Sequence, residues 1–340
     1  MKLTNIVHRW ADIEKLKKGE MIWPSFADLH TSNHCNQFCN GCAYDGMLDK
    51  NMMDDLTHFR MVDELMDVGV KAFDFAGGGE PSMLPYLPVQ MGMIKDRGGS
   101  YAMITNGLIL NGSLIDALVS GGTYVRFSLE ASCEEDYAKY KKVDPKQWGV
   151  VLNNINRLRE ARNFYHSSLE ISVKFAVGAS LRGKEHYQRC IDLGRKLGAE
   201  RITIKSLRHA PEELPKTHSQ HEDALLREVI ADEHAENIVS HWIVPYEDFQ
   251  VSQCWLNPVH TVIDWNGDVY ICCYFYYGRQ DELKIGNIKE RPFKDIWTDQ
   301  LHKDVIKGID RYNCMEVDCK FFKHHEAVHW GLSRKHMEFL

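Results

Sequence analysis

Cysteine is spread unevenly along this chain of 340 residues, and its spacing is the first sign of chemistry. Three fall within eight residues, in Cys35-Asn-Gln-Phe-Cys39-Asn-Gly-Cys42, while Cys254, Cys272, Cys273, Cys314 and Cys319 lie in the last quarter or so. Cys133 and Cys190 stand alone. Thiolates are ligands for zinc and for iron-sulfur clusters, and in a reducing compartment grouped cysteines more often serve metals or catalysis than disulfides. Two metal regions are therefore expected. At the first, two chemistries compete. A structural zinc site needs a fourth ligand, from His34 or a distant cysteine, whereas an iron-sulfur cube held by three thiolates leaves one iron open to another ligand.

The elements that must position these groups are legible as periodicities. Phe26–His30, Ala72–Ala76, Tyr101–Ile104, Tyr124–Leu129, Ile171–Val177 and Arg201–Ser206 read as strands. Between them Phe59, Val62, Leu65 and Met66, and later Val151, Ile155 and Leu158, recur at helical spacing. The expected class is α/β: a partial (βα)6 TIM-type barrel with a small C-terminal β-hairpin/helix domain. Ligands of such barrels sit at the carboxyl ends of the strands. The three-cysteine loop follows the first strand, and Gly77-Gly78-Gly79-Glu80-Pro81 follows the second, so both belong to one rim. Glycines let a backbone approach a polar ligand closely, and Glu80 offers a carboxylate to an ammonium group.

Residues 208–250 are polar, with Pro211, Pro215 and one helix around Asp223–Ile230, and read as a bridge between domains 1–207 and 251–340. Beyond it Val262–Asp264 and Val269–Cys272 flank Asn266-Gly267, a hairpin signal, and Pro292 to Ile306 reads as helical. Hydrophobic residues at 44% and charged residues at 26% exclude a disordered chain. The net charge of −7 gives no general positive field for nucleic acid. Met1 to Lys18 is charged throughout rather than a signal core, and no run reaches the ~18–20 apolar residues of a membrane span. A cytoplasmic protein without membrane or nucleic-acid partners is expected.

At this point the sequence resembles the radical SAM superfamily. Its Cys-x3-Cys-x2-Cys pattern is matched by Cys35, Cys39 and Cys42, its GGEP motif by Gly78 to Pro81, and its strand-four ribose motif by Ser128-Leu129-Glu130. The resemblance implies a [4Fe-4S] cluster on the three cysteines, with the open iron chelated by S-adenosylmethionine. Cleavage of that cofactor gives a 5'-deoxyadenosyl radical, which takes a hydrogen atom from substrate. By the same comparison Gly78, Gly79 and Glu80 meet the methionine part, Ser128 and Glu130 lie near its ribose and carboxylate, and Asn106 belongs to a turn beside it. The residue before the third cysteine is usually bulky in this family. Here it is Gly41, and Tyr44 is taken as its substitute against adenine.

The later cysteines resemble the auxiliary-cluster domain called SPASM or, shortened, twitch. Cys254 is followed by twelve residues, Gly267, four residues and Cys272, and then by Cys314 and Cys319. The full form generally uses seven cysteines, and five are present here, so Cys254, Cys272, Cys314 and Cys319 are assigned to one auxiliary [4Fe-4S] cluster. Zinc on the same four thiolates is the competing reading. His324, His325 and His329 follow closely as minor ligand candidates. Cys133 and Cys273 are the candidate hydrogen donors to a substrate radical, with ordinary packing as the alternative.

What the resemblance implies is an oxidoreductase, fed by an external one-electron reductant such as flavodoxin or ferredoxin. Only 34 residues precede Cys35, which favours a small substrate, a sugar, aminocyclitol or nucleoside-like compound undergoing oxidation. Epimerisation, decarboxylation and peptide modification are the enzymatic alternatives, and a zinc-binding adaptor is the non-enzymatic one.

Overall fold

The computed structural model describes residues 9–44, 47–178, 181–206, 216–232, 238–241, 254–276, 278–309, 314, 319, 321, 324–325 and 327–329. Of the polar bridge, Pro211 and Pro215 lie outside these residues, as does Tyr277. The chain divides into two compact units, one of residues 29–55 and 73–244, the other of residues 1–28, 56–72 and 245–340. The second unit gathers both ends of the sequence. Linear patterning cannot reveal this, because it depends on which strand the returning chain pairs with.

The first unit is α/β with a parallel sheet. It takes in the end of β1 (Phe26–His30), then β2 (Ala72–Phe75), β3 (Ser100–Thr105), β4 (Gly122–Glu130), β5 (Glu170–Val177), β6 (Arg201–Ser206) and β7 (Ile238–His241), in that spatial order. Neighbours from β3 through β7 pair in parallel, in registers such as Phe127↔Val173 and Val173↔Ile202. Five expected strands appear within a residue or two of their predicted ends, and β4 starts two residues early. The seventh strand, β7, was hidden in the polar bridge, being four residues long.

Helices alternate with these strands. In this unit they include α3 (Leu87–Asp96), α4 (Gly112–Gly121), α5 (Glu134–Lys141), α6 (Lys146–Phe164), α7 (Lys184–Lys196) and α8 (Lys216–Asp232). In α6 the buried set Val151, Asn154, Ile155 and Leu158 keeps the i, i+3, i+4, i+7 spacing of one face. Asn111 begins α4 by accepting from the Leu114 amide through its side chain, satisfying a donor of the first turn.

The second unit holds α1 (Trp10–Lys17), α2 (Asp55–Asp67), the short α9 (Gln280–Leu283) and a three-stranded antiparallel meander of β8 (His260–Asp264), β9 (Asp268–Tyr270) and β10 (Lys284–Asn287). The Asn266-Gly267 turn falls where expected, with Gly267 at φ +87°. The stretch after Leu283 adds strand β10, which lies outside the hairpin and the helical segment expected from the sequence. Gly286 in it faces α10 (Phe293–Thr298), where a Cβ would lie 2.9 Å from Ile296. The helix expected over Pro292 to Ile306 is two, α10 and α11 (Gln300–Gly308), broken at Asp299, whose extended backbone and carboxylate cap α11. Ile13, Trp255 and Val328 form a small core with Trp10 and Leu16. The Trp297 indole is fully buried and donates to the Ile22 carbonyl at 2.7 Å.

Candidate functional site

In the first unit, the chain leaving β1 runs through buried Thr31, Ser32 and Asn33 into the three-cysteine loop. The glycine turn after β2 lies directly on this backbone. The Gly79 amide donates to the Ser32 carbonyl, the Glu80 amide to the His34 carbonyl, and a Cβ on Gly79 would lie 2.1 Å from the His34 oxygen. Only glycine fits there. Gly77 is similarly confined, with Tyr44 Oη 2.9 Å and His30 Cε1 3.2 Å from where its Cβ would be. Tyr44 is buried and its hydroxyl lies 2.6 Å from His30 Nδ1, an arrangement that orients the ring from below.

Glu80 has a role that sequence reasoning missed. It is 3% exposed, and its Oε1 accepts from the Ser82 amide and the Thr105 hydroxyl while Oε2 accepts from the Asn106 amide. The carboxylate therefore ties the glycine turn to the end of β3. Asn106 carries the link onward, donating from Nδ2 to Asn36 Oδ1 inside the cysteine loop at 2.6 Å. Glu80→Ala is expected to strand these buried donors and cost about 2–4 kcal/mol of stability, since each lost partner carries about 1–3 kcal/mol. Its effect on S-adenosylmethionine binding should exceed its effect on cluster content. Denaturant midpoints, iron content and a ligand titration on the same preparation check this. An unchanged midpoint would contradict the tie.

The cysteine loop is also held from α5. Phe38 and Asn40 amides donate to the Lys141 and Tyr140 carbonyls, and Gln37 donates to the Tyr137 hydroxyl at 2.7 Å. Cys35, Cys39 and Cys42 are each partly buried. Burial, with the Glu80, Cys39 and Cys42 charges adding to it, pushes the Cys35 thiol up to about 11. Three adjacent thiolates therefore need a cation to coexist. The fully buried Lys141 lies close by and donates from Nζ to the Ser128 carbonyl. Burial opposes its charge, yet the Cys39 and Glu130 anions hold its pKa above the ordinary lysine value.

Glu130 ends β4 in the left-handed region at φ +69°, a strained conformation for a residue with a side chain. It pairs with Lys174 through Oε1 at 2.6 Å, while its buried Oε2 has no hydrogen-bond partner among the described residues. The neighbouring Cys133 thiol points to Asp136 Oδ2 at 3.3 Å. Cys190 is fully buried, its sulfur 3.4 Å from His186 Nε2.

In the second unit the later cysteines are brought together from distant sequence positions. Burial pushes the Cys254 thiol up, and Cys319 and Cys314 charges add to the shift. Cys272 is raised by its hydrogen bond with Cys273, by burial and by Cys319. Cys273 is 4% exposed and begins the 3-10 turn Cys273–Tyr276, in which Phe275 stacks on Tyr270 at 4.1 Å. Tyr274 and Phe275 are both buried and belong to the core beside the hairpin. Arg279 donates from Nη1 to Cys314 Sγ at 3.4 Å, and His325 Nε2 lies 3.7 Å from Cys254 Sγ. Burial and the neighbouring His324 and His260 push His325 down to about 4. The thiols of each group are electrostatic neighbours. Among the described residues no three Cys, His, Asp or Glu side chains already converge on one point.

Comparisons with known proteins match two separate stretches of the sequence. The radical SAM superfamily model matches residues 29–171, and the SPASM model, an iron-sulfur cluster-binding domain, matches residues 254–320. The chain is 22% identical to the tungsten-containing aldehyde ferredoxin oxidoreductase cofactor-modifying protein of Pyrococcus furiosus, over 89% of this chain and 91% of that one. It is 22% identical to the Fe-coproporphyrin III synthase of Methanosarcina barkeri, over 87% of this chain and 77% of that one. In structure it resembles Streptococcus suis SuiB bound to precursor peptide SuiA, with a TM-score of 0.69 and 15% identity over 90% of this chain and 73% of the other.

Domains of the first kind bind S-adenosylmethionine and a [4Fe-4S] cluster, and domains of the second bind auxiliary iron-sulfur clusters. The residues present fit both groups. Each unit offers grouped thiols whose mutual charge a metal would relieve, and the first adds a side-chain-free glycine cradle and the unpartnered Glu130 oxygen. With motif, fold and donor chemistry in agreement, the chain carries a radical SAM superfamily domain over residues 29–171 and a SPASM iron-sulfur cluster-binding domain over residues 254–320.

Proposed function

We propose that this chain is a radical SAM oxidase of the maturase kind, acting on a cofactor precursor or a peptide. The observation that supports it best is the presence of two separate thiol groups, one in each unit, each with its own buried surroundings. When bound, S-adenosylmethionine and the first cluster supply a 5'-deoxyadenosyl radical that takes one hydrogen atom from substrate. In this reading Cys35, Cys39 and Cys42 hold the first cluster. Gly78 and Gly79 leave room for the methionine amino group, Asn106 is presented by Glu80, and Ser128 and Glu130 receive the ribose. Tyr44, fixed by His30, packs against adenine.

Cys254, Cys272, Cys314 and Cys319 hold one auxiliary cluster. A cluster held there would supply a one-electron acceptor, the chemistry that a two-electron oxidation of substrate needs after a hydrogen atom is lost. An external one-electron donor such as flavodoxin or ferredoxin restarts the cycle. Ten cysteines, most of them grouped as metal ligands would be, accord with a reducing compartment such as the cytoplasm. Among the described residues no helix is long and apolar enough to cross a membrane.

The names of the relatives that align over most of the chain favour a cofactor or peptide over a free sugar. Oxidation of a sugar, aminocyclitol or nucleoside-like compound is the competing finer reading. Deuterium labelling separates the outcomes. Substrate deuterium passing into 5'-deoxyadenosine with loss of two hydrogens means oxidation, and solvent deuterium gained at one carbon means epimerisation. Carbon dioxide release means decarboxylation. About eight irons after anaerobic reconstitution are expected, from two four-iron clusters. Zinc without sulfide would turn the assignment to a binding adaptor.

A further inference from the structure

The surroundings of the later cysteines contain two N–H groups aimed at sulfur. Arg279 is 6% exposed, and its guanidinium is held in a fork by Glu282, Nε to Oε2 at 2.7 Å and Nη2 to Oε1 at 2.6 Å. A guanidinium has five N–H donors in fixed geometry, so this clamp determines where the remaining ones point. Nη1 points at Cys314 Sγ, 3.4 Å away. The second donor is His325. Its Nδ1 accepts from the Trp255 amide at 3.3 Å, which leaves the proton on Nε2, the atom 3.7 Å from Cys254 Sγ. Two of the four assigned ligands thus each face a donor fixed from behind by an independent contact.

Resting on the assignment of those four cysteines to one cluster, we propose that Arg279, clamped by Glu282, and His325 are positioning residues that raise the reduction potential of the auxiliary centre through N–H···S hydrogen bonds. Reduction adds one negative charge, shared between the cluster and its thiolates. A donor at a thiolate stabilises the reduced form more than the oxidised one, and hydrogen bonds to sulfur are among the levers that set such potentials. Arg279 makes its hydrogen bond a charge-assisted one, its charge partly offset by Glu282, in a buried position where solvent screens it little. The consequence is a centre that takes an electron from a substrate radical more readily than four bare thiolates would allow.

The test uses the full chain with Cys35, Cys39 and Cys42 replaced by alanine, so that only the auxiliary centre is present. Iron and sulfide are counted, and the potential is read by a redox titration followed by electron paramagnetic resonance. Arg279→Gln is expected to keep the cluster and make reduction about tenfold less favourable, a fall of about 59 mV for one electron. Arg279→Lys keeps a cation without the fork and should fall by less. His325→Phe removes a neutral donor and should shift the potential in the same direction by a smaller amount. An unchanged potential with full iron in Arg279→Gln overturns the proposal, and in Arg279→Lys it does so if the glutamine variant loses its cluster. Loss of iron from both variants makes Arg279 a structural residue and overturns it equally. Zinc without sulfide before any Arg279 substitution is the separate failure of the cluster assignment, and the inference falls with it.

Discussion

Replacing Cys35, Cys39 and Cys42 together by alanine is expected to abolish S-adenosylmethionine cleavage, leaving about four of about eight irons on the auxiliary centre. The contacts that shape the loop make this a sharp test. Phe38 and Asn40 are held by backbone bonds to Lys141 and Tyr140, Gln37 by Tyr137, and Asn36 by Asn106. None of these bonds uses a thiol, so the loop keeps its anchors when the sulfurs are removed. Removal also relieves the repulsion that, after burial, adds to the raised Cys35 thiol. Loss of cleavage in a protein with an unchanged unfolding midpoint would therefore report missing cluster ligands rather than a collapsed rim. Continued formation of 5'-deoxyadenosine would rule out the assignment of this site.

Much of that site was legible because its parts are local in sequence. The cysteine spacing and the glycine turn each follow a strand, Ser128-Leu129-Glu130 ends one, and strand ends in a parallel α/β sheet lie on one rim. What joins them was not legible. Glu80 bonds to Thr105 and Asn106, 25 and 26 residues away, and a lone acidic residue beside glycines carries no sign of such partners. Lys141 lies in a charged helical segment and reads as solvated, yet it is 2% exposed because the segment turns its last residue toward Ser128. Arg279 and Cys314 are separated by 35 residues, and only the folded chain brings them together. The interleaved second unit escaped for the same reason. Ser25 bonds to the Val259 carbonyl and Trp297 to that of Ile22, contacts between the two ends of the chain.

The Cys254→Ala, Cys272→Ala double variant should retain the first cluster and S-adenosylmethionine cleavage, yet fail to complete turnover of substrate. Little apolar sequence lies beside the cysteines themselves, which taken alone predicts that the domain unfolds locally without its metal. The structure alters that expectation. Val262, Ile263, Val269, Ile285, Phe293, Ile296 and Trp297 are fully buried in the same unit, a core that does not pass through sulfur. The meander and α10 should therefore persist, and circular dichroism with protease resistance should show this in the variant. Hydrogen abstraction needs only the first site, so 5'-deoxyadenosine still forms. The carbon radical left behind must lose an electron and a proton, and two of the four thiolates assigned to its acceptor are gone. Product should fall to background while cleavage continues, an uncoupling that simple unfolding does not produce. A folded variant making oxidised product near the wild-type rate would remove the auxiliary centre from the electron path. A redox-neutral product would instead require a hydrogen donor, and Cys133 is then favoured over Cys273. Cys133 is half-buried just past β4, at the start of α5, whereas Cys273 is buried with its thiol engaged by Cys272.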